Sequence, residues 1–351
     1  LHMFQDKGNT VDENWAFMPN EFVKNYKTLR DNFANTSKVY GIDGPASSYL
    51  YDKDGDGAIK QADGNKAWIF FGLRRGGSSY YAMDVSDPDN PKLMWHKDGN
   101  SAGFGELGQT WSQPKLAHSA LNISNNVPKP VLIFGAGYDI NKDSLAPGTA
   151  DSVGRGVYII DAESGNLLWS LTPAATSATN TQFTGITDSI PSQVATLDSD
   201  LDGLVDRMYM GDTGGNVWRV DMPGNNPFSS SKPWTVHKLA SLGGITNLDD
   251  RRFFSEPSIA RITLTDTMQT TVNSVTTITR QDRQYEAVLI GSGDRTNPLG
   301  TDTDDKFFMI RDKNTSTVPF VASPSSTQNA IPSPIMFSDL YDFTSNPFGQ
   351  N

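Results

Sequence analysis

Cysteine is absent from all 351 residues. This excludes a disulfide frame, a thiolate zinc centre, a cysteine nucleophile and an iron–sulfur cluster, and it leaves the compartment open. Histidine is scarce: His2, His96, His118 and His237 each stand alone, with no second ligand nearby in the chain. Single histidines on strand-like stretches read as structural residues. No apolar run approaches the roughly 20 residues of a membrane span, so no membrane insertion of this chain is expected. No charged start followed by an apolar stretch marks a signal peptide. Positive charge is in deficit, with 29 Lys and Arg against 40 Asp and Glu and a net charge of −11. A nucleic-acid partner requires a basic stripe, and none is present. Helical periodicity is confined to "NEFVKNYKTLRDNF" near the start. No G-x-S-x-G elbow, H-E-x-x-H or P-loop occurs, and the single G-x-G-x-x-G, at 103–108, leads into a strand rather than a helix.

What the chain does contain is short apolar runs, rich in β-branched and aromatic residues and ending in glycine. "AWIFFG", "PVLIFGAG", "RMYMGD" and "EAVLIGSG" each read as a buried strand. They recur in a fixed order of strand, turn, second strand ending in aspartate, polar turn and tryptophan. Gly72, Asp84 and Trp95 mark the first copy, Gly135, Asp161 and Trp169 the second, and Gly211, Asp221 and Trp234 the third. Gly291 and Asp312 mark a fourth. "DGPAS", "SQPKLA", "PSQVA" and "SEPSIA" precede the four copies in turn. Such repeats of about four strands are the signature of propeller blades, each burying its faces against its neighbours. A generic β-sandwich is the alternative, and its strands would not repeat as a unit. Trp68, Trp95, Trp169 and Trp218 read as blade-packing residues, and "LTDTMQTTVNSVTTITRQDRQYEA" as a long hairpin. The expected organisation is a cloning remnant at 1–3, a lead-in with a short helix at 4–38, blades at 39–313 and a divergent, loop-rich segment at 314–351. The whole is expected to be an excised piece of a larger protein.

Two loops concentrate carboxylates. In "DSDLDGLVD", Asp198, Asp200 and Asp202 alternate, Gly203 permits a sharp bend, Leu204 can offer its carbonyl and Asp206 can close the shell. Calcium takes about six to eight hard oxygen ligands in flexible geometry, and this pattern supplies them. The twelfth position of an EF-hand falls on Tyr209, so the loop is a compact nine-residue variant that runs into a strand. In "DKDGDGAIKQAD", Asp52, Asp54 and Asp56 with the Ala58 carbonyl and Asp63 form a second candidate. A solvated acidic turn is the plain alternative for both. "GTDTDD", at 300–305, has no internal glycine and reads as a turn only.

"GVYIIDAESGNLLW" resembles the tryptophan-docking repeats of quinoprotein dehydrogenases, which keeps a quinone-dependent periplasmic dehydrogenase as an alternative. The longer series "NWAFMPNEFVKNYKTL", "WIFFGLRRGGSSYYAMDVSDPDNPKLMW", "LGQTWSQPKLA" and "DSDLDGLVDRMYMGDTGGNVWRVD" resembles the C-terminal propeller of the PilY/PilC family. Its members are type IV pilus tip-associated adhesins and biogenesis factors. The resemblance implies an all-β, modified (quinoprotein-like) β-propeller of up to seven four-stranded blades when complete, with calcium loops inserted between strands. It implies calcium on Asp198, Asp200, Asp202, Leu204 and Asp206, regulating pilus extension against retraction. It further implies a non-enzymatic role in adhesion and twitching motility, at the cell surface, the pilus tip and the outer membrane or periplasm. Implied partners are minor pilins and the tip complex, a host or abiotic surface, and the N-terminal portion of the full-length chain. No R-G-D occurs, so an integrin-binding role has no support. A structural or carbohydrate-binding calcium propeller is the remaining alternative.

Overall fold

The computed structural model describes residues 1–32, 38–273, 275–326 and 328–344. The parts of the lead-in at 33–37 and of the C-terminal segment at 345–351 lie outside the described residues. The chain opens with a hairpin of β1 (His2–Asp6) and β2 (Val11–Ala16). Of Leu1–Met3, read as a remnant, His2 and Met3 pair within this hairpin, and the Leu1 ammonium donates to the Phe17 carbonyl at 2.9 Å. The helical stretch is divided between a 3₁₀ turn, Asn20–Asn25, and a short α1 (Tyr26–Asp31).

Four sheets follow, each built chiefly from strands consecutive in sequence. The first is β3 (Ala46–Tyr51), β4 (Lys66–Gly72), β5 (Ser79–Asp84) and β6 (Lys92–Asp98), antiparallel and in that order. The second is β7 (Lys115–Ser124), β8 (Val127–Gly135), β9 (Val157–Asp161) and β10 (Leu167–Thr172), with β11 (Asn180–Gln182) added parallel. The third is β12 (Ala195–Leu197), β13 (Arg207–Gly211), β14 (Asn216–Asp221) and β15 (Thr235–Ser241). The fourth is β16 (Ser258–Val272), β17 (Val275–Gly291) and β18 (Phe307–Asp312). Beyond it, β19 (Phe320–Val321) pairs with β20 (Asn329–Ala330), and β21 (Ile335–Met336) returns to lie parallel to β15. The Thr-rich stretch forms the expected hairpin, β16 pairing with β17 without a register shift.

The chain divides into two compact units. The first comprises Leu1–Leu116, Pro130–Lys142 and Asp151–Pro191; its larger core holds Trp68, Phe70, Tyr80, Trp95, Phe134 and Tyr158. The second comprises Ala117–Lys129, Asp143–Ala150 and Ser192–Asn351, with a core around Tyr209, Val217, Phe253, Val288, Ile290 and Ile310. Middle strands such as β13 and β14 are buried along their whole length, which is why their sequences read as continuous runs rather than alternations. Among the described residues β18 pairs with β17 alone, and its residues alternate exposed and buried with period two.

The serines of the repeated lead-in motif acquire a purpose here. Ser112 Oγ accepts from the Gly135 amide at 2.9 Å, and Ser192 Oγ accepts from the Gly211 amide at 3.0 Å. Each serine thus caps the glycine that ends the second strand of its own sheet. A Cβ on Gly211 would sit 2.4 Å from Phe253 Cβ, so glycine is required by packing there. The four tryptophans read as packing residues are buried; Trp234, the third repeat's marker, stands just ahead of β15 instead of inside it.

Candidate metal loops and the charged core behind them

Both acidic loops join the first strand of a sheet to the second: one connects β3 to β4, the other β12 to β13. Their backbones fold alike. The Asp52 carboxylate accepts from the amides of Gly55 and Gly57 at 2.9 and 2.8 Å. Asp198 accepts likewise from Leu201 and Gly203 at 2.7 and 2.8 Å. Asp56 caps the Ala58 amide at 2.7 Å, as Asp202 caps that of Leu204 at 2.8 Å. Left-handed residues also coincide: Gly55 at φ 72° matches Leu201 at 65°, and Gly57 at 80° matches Gly203 at 88°. Leu201 therefore holds a conformation that costs a side-chain-bearing residue about 1 kcal/mol, so the second loop retains its shape against local preference.

In the second loop, the carboxylates of Asp198, Asp200 and Asp206 converge, with one oxygen of each within 4.8 Å of the others. Asp202 does not join that group. Asp206 uses one oxygen, Oδ2, to accept from the Ser199 amide and hydroxyl at 3.0 and 2.5 Å. Its other oxygen, Oδ1, is buried without a hydrogen-bond partner. An all-oxygen set of three converging carboxylates fits a hard divalent cation, with the Arg207 guanidinium 3.7 Å from Asp206 Oδ1 as the nearby positive charge.

In the first loop, Asp52, Asp54 and Asp56 converge, and Asp63 stays apart in the 3₁₀ turn Gln61–Asp63. This loop satisfies more of its own acceptors. Buried Asn65 donates to the Ala58 carbonyl at 2.9 Å, and the Lys60 ammonium lies 3.1 Å from Asp56. Backbone donors, first of all the Gly57 amide, hold the Asp52 carboxyl below its ordinary range. The Ala58 amide and Lys60 do the same for Asp56. Each loop thus has a cationic side chain beside it: Lys60 on Asp56 in the first, and the buried Arg207, 3.7 Å from Asp206 Oδ1, next to the second. The acidic stretch at 300–305 forms no such convergence among the described residues; Asp304 pairs with Lys306 at 2.9 Å.

Directly behind the second loop lies a charged cluster that sequence reading did not find. Arg207 and Arg219 are fully buried. Arg207 pairs with Glu286, and Arg219 grips Asp221 with bonds of 2.6 and 2.9 Å and Asp312 with one of 2.6 Å. The Tyr209 hydroxyl donates within the same cluster, 2.7 Å from Glu286 and 3.0 Å from Asp312, and burial raises its pKa far above the usual value. Strand-end aspartates therefore serve two purposes. Asp84 and Asp161 cap turn serines, whereas Asp221 and Asp312 bind a guanidinium.

His237 packs against Phe320, ring centres 4.5 Å apart and planes tilted by 48°, with neither ring nitrogen hydrogen-bonded. Burial, reinforced by Arg219, lowers its pKa to about 4. Between pH 6.5 and 4 the unfolded chain gains a proton that the folded one refuses. The contribution is complete above pH 6.5 and is lost as pH falls, by about 3 kcal/mol in all. His237→Leu should remove this loss, read as urea midpoints from pH 7 to 4 for both proteins. Asp221, whose carboxyl burial pushes up, titrates in the opposite sense in both, so the difference isolates His237. Parallel curves would refute the assignment.

A family model described as the PilY1 beta-propeller domain matches residues 1–329. The chain belongs to that family. Its fold is accordingly a β-propeller, as the repeat implied. Among similar proteins, a type IV pilus biogenesis factor PilY1 of Pseudomonas aeruginosa is 26% identical over 299 residues, 84% of this chain and 22% of the relative. A PilY1 homolog of Xylella fastidiosa is 26% identical over 240 residues, 65% of this chain and 14% of the relative. The chain thus spans about a fifth or less of these PilY1 proteins. The crystal structure of the P. aeruginosa PilY1 C-terminal domain superposes with a TM-score of 0.54 at 20% identity, covering 87% of this chain and 54% of that one. That likeness concerns the fold. No helix among the described residues is long and apolar enough to cross a membrane.

Proposed function

We propose that this chain is the calcium-binding propeller of a type IV pilus tip-associated protein at the bacterial surface. In this reading it acts without catalysis in pilus biogenesis, in the balance of extension against retraction, in twitching motility and in attachment. The observation that carries the reading is the convergence of the Asp198, Asp200 and Asp206 carboxylates in one loop, in a chain of the PilY1 family. Relatives named type IV pilus biogenesis factors support the pilus role.

Asp198, Asp200 and Asp206 would hold the ion, with the Leu204 carbonyl and Asp202 at hand in the same loop. When bound, calcium supplies the positive charge that turns the mutual repulsion of these carboxylates into attraction. Asp206 would then tie the end of the loop to its beginning, fixing the entry to β13. The loop of Asp52, Asp54 and Asp56 is the weaker site, because Asn65 already occupies the Ala58 carbonyl and Lys60 pairs closely with Asp56. Partners in this reading are minor pilins and the tip complex, a host or abiotic surface, and the N-terminal portion of the same protein.

The test is the full-length protein carrying Asp198→Asn and Asp206→Asn, expressed at wild-type level in its own cells. Surface piliation and twitching zones should change in calcium-replete medium. Wild-type piliation and twitching in that strain would sink the regulatory reading.

A further inference from the structure

After β18 the chain runs as "NTST", residues 314–317, across the two buried arginines, and its carbonyls do the holding. Arg219 donates to the Asn314 carbonyl, Arg207 to that of Thr315 at 2.9 Å, and Arg219 to that of Ser316 at 3.1 Å. Thr317 Oγ1 then lies 3.2 Å from Ser199 Oγ, the hydroxyl that donates to Asp206 inside the acidic loop. Farther on, Phe320 lies 5.2 Å beneath the Arg219 guanidinium, and its amide donates to Thr235 Oγ1 at 3.0 Å. The segment brings few apolar side chains of its own before Val318. Its attachment thus depends on where the two guanidinium groups point.

Arg207 is the first residue of β13, and Asp206, the last acid of the loop, precedes it. Arg207 Nε lies 3.7 Å from Asp206 Oδ1, and both atoms are buried without a hydrogen bond. The loop and the segment therefore meet twice, once through Asp206 and Arg207 and once through Ser199 and Thr317.

We infer that residues 314–321 form a releasable strap whose attachment is thermodynamically coupled to cation occupancy of the Asp198–Asp206 loop, with Arg207 as the positioning residue between them. The inference rests on the calcium reading of that loop. Fixing Asp206 fixes the backbone from which Arg207 projects, and orders Ser199 against Thr317. A strap already docked lowers the ordering cost of binding, and by reciprocity an occupied loop holds the strap more firmly.

The sequence provides a reporter. Lys313 is exposed and stands at the strap's start, so trypsin can cut after it once the strap lifts. Arg280 and Arg283, exposed on the β16–β17 hairpin, give reference cuts in the same digest. Digestion is run with calcium or with chelator, alongside calorimetric titration of the same protein with calcium. Cleavage after Lys313 should slow about tenfold with calcium, relative to the reference cuts, and the slowing should vanish in Asp198→Asn. Thr317→Val, which keeps the side-chain volume and removes the hydroxyl contact, should weaken calcium binding several-fold. Calcium binding with unaltered cleavage after Lys313 and unaltered affinity in Thr317→Val would overturn the coupling and leave the calcium site standing. No heat of binding in the wild type would remove the calcium reading itself, and the coupling with it.

Discussion

Arg219→Met should destabilise the second unit by ~3–5 kcal/mol in urea unfolding, the range found when one partner of a buried ion pair is removed. The guanidinium is fully buried and donates to Asp221, Asp312 and the carbonyls of Asn314 and Ser316. Methionine fills comparable space and supplies none of those donors, so two carboxylates and two carbonyls lose their common partner. Adding Asp221→Leu should restore part of the loss, because exchanging a whole buried pair for apolar side chains is far less costly than breaking it. If the single variant unfolds within 1 kcal/mol of wild type, with an unchanged urea dependence, the cluster is not the internal clamp described here.

Calcium in about 1,000-fold excess over its dissociation constant should raise stability by ~4 kcal/mol if it binds the native state alone. Thermal melts with calcium, with magnesium and with chelator would show it. The calcium increment should be the larger, since flexible carboxylate loops suit calcium better than the stricter octahedron of magnesium. Asp198→Asn should abolish most of the increment, because Asp198 both accepts the Leu201 and Gly203 amides and faces the convergence point. A paired Asp52→Asn, Asp54→Asn variant should keep most of it. A melting temperature indifferent to calcium and to chelator would remove the metal from both loops.

The propeller and both loops were legible in the sequence because their signals are local. Strand-ending glycines, turn aspartates and the Asp-x-Asp-x-Asp-Gly spacing lie within a few residues of one another. Local spacing does not tell which carboxylates turn inward. Asp202 and Asp63 read as ligands by position, and the structure places both outside the converging carboxylates, Asp63 in a turn of its own. What separates the two loops lies in side-chain directions that spacing does not give. Asn65 and Lys60 occupy the first from beyond its six-residue motif, and Ser199 acts in the second as a spacer that turned out to donate to Asp206. The charged cluster was invisible for a related reason. Arg207 and Arg219 stand 79 and 93 residues from Glu286 and Asp312. An Arg-x-Asp such as "RVD" reads as a polar strand end until tertiary structure brings a second acid to it.

Strand order also carries a consequence for how the molecule is assembled. Sheets one, two and four are made of strands adjacent in sequence, so each can close once its own stretch of chain is available, with no strand brought in from elsewhere. The third sheet is different. Its outer strand, β21, joins β15 through Ala240 and Ile335, 95 residues apart, and the Arg207 and Arg219 clamps wait for residues 314–316. Emerging from its amino end, the chain would lay down the fourth sheet before the third is finished. The sheet that carries the acidic loop Asp198–Asp206 is thus the last to mature, and a chain cut before residue 335 would leave that sheet with an open edge.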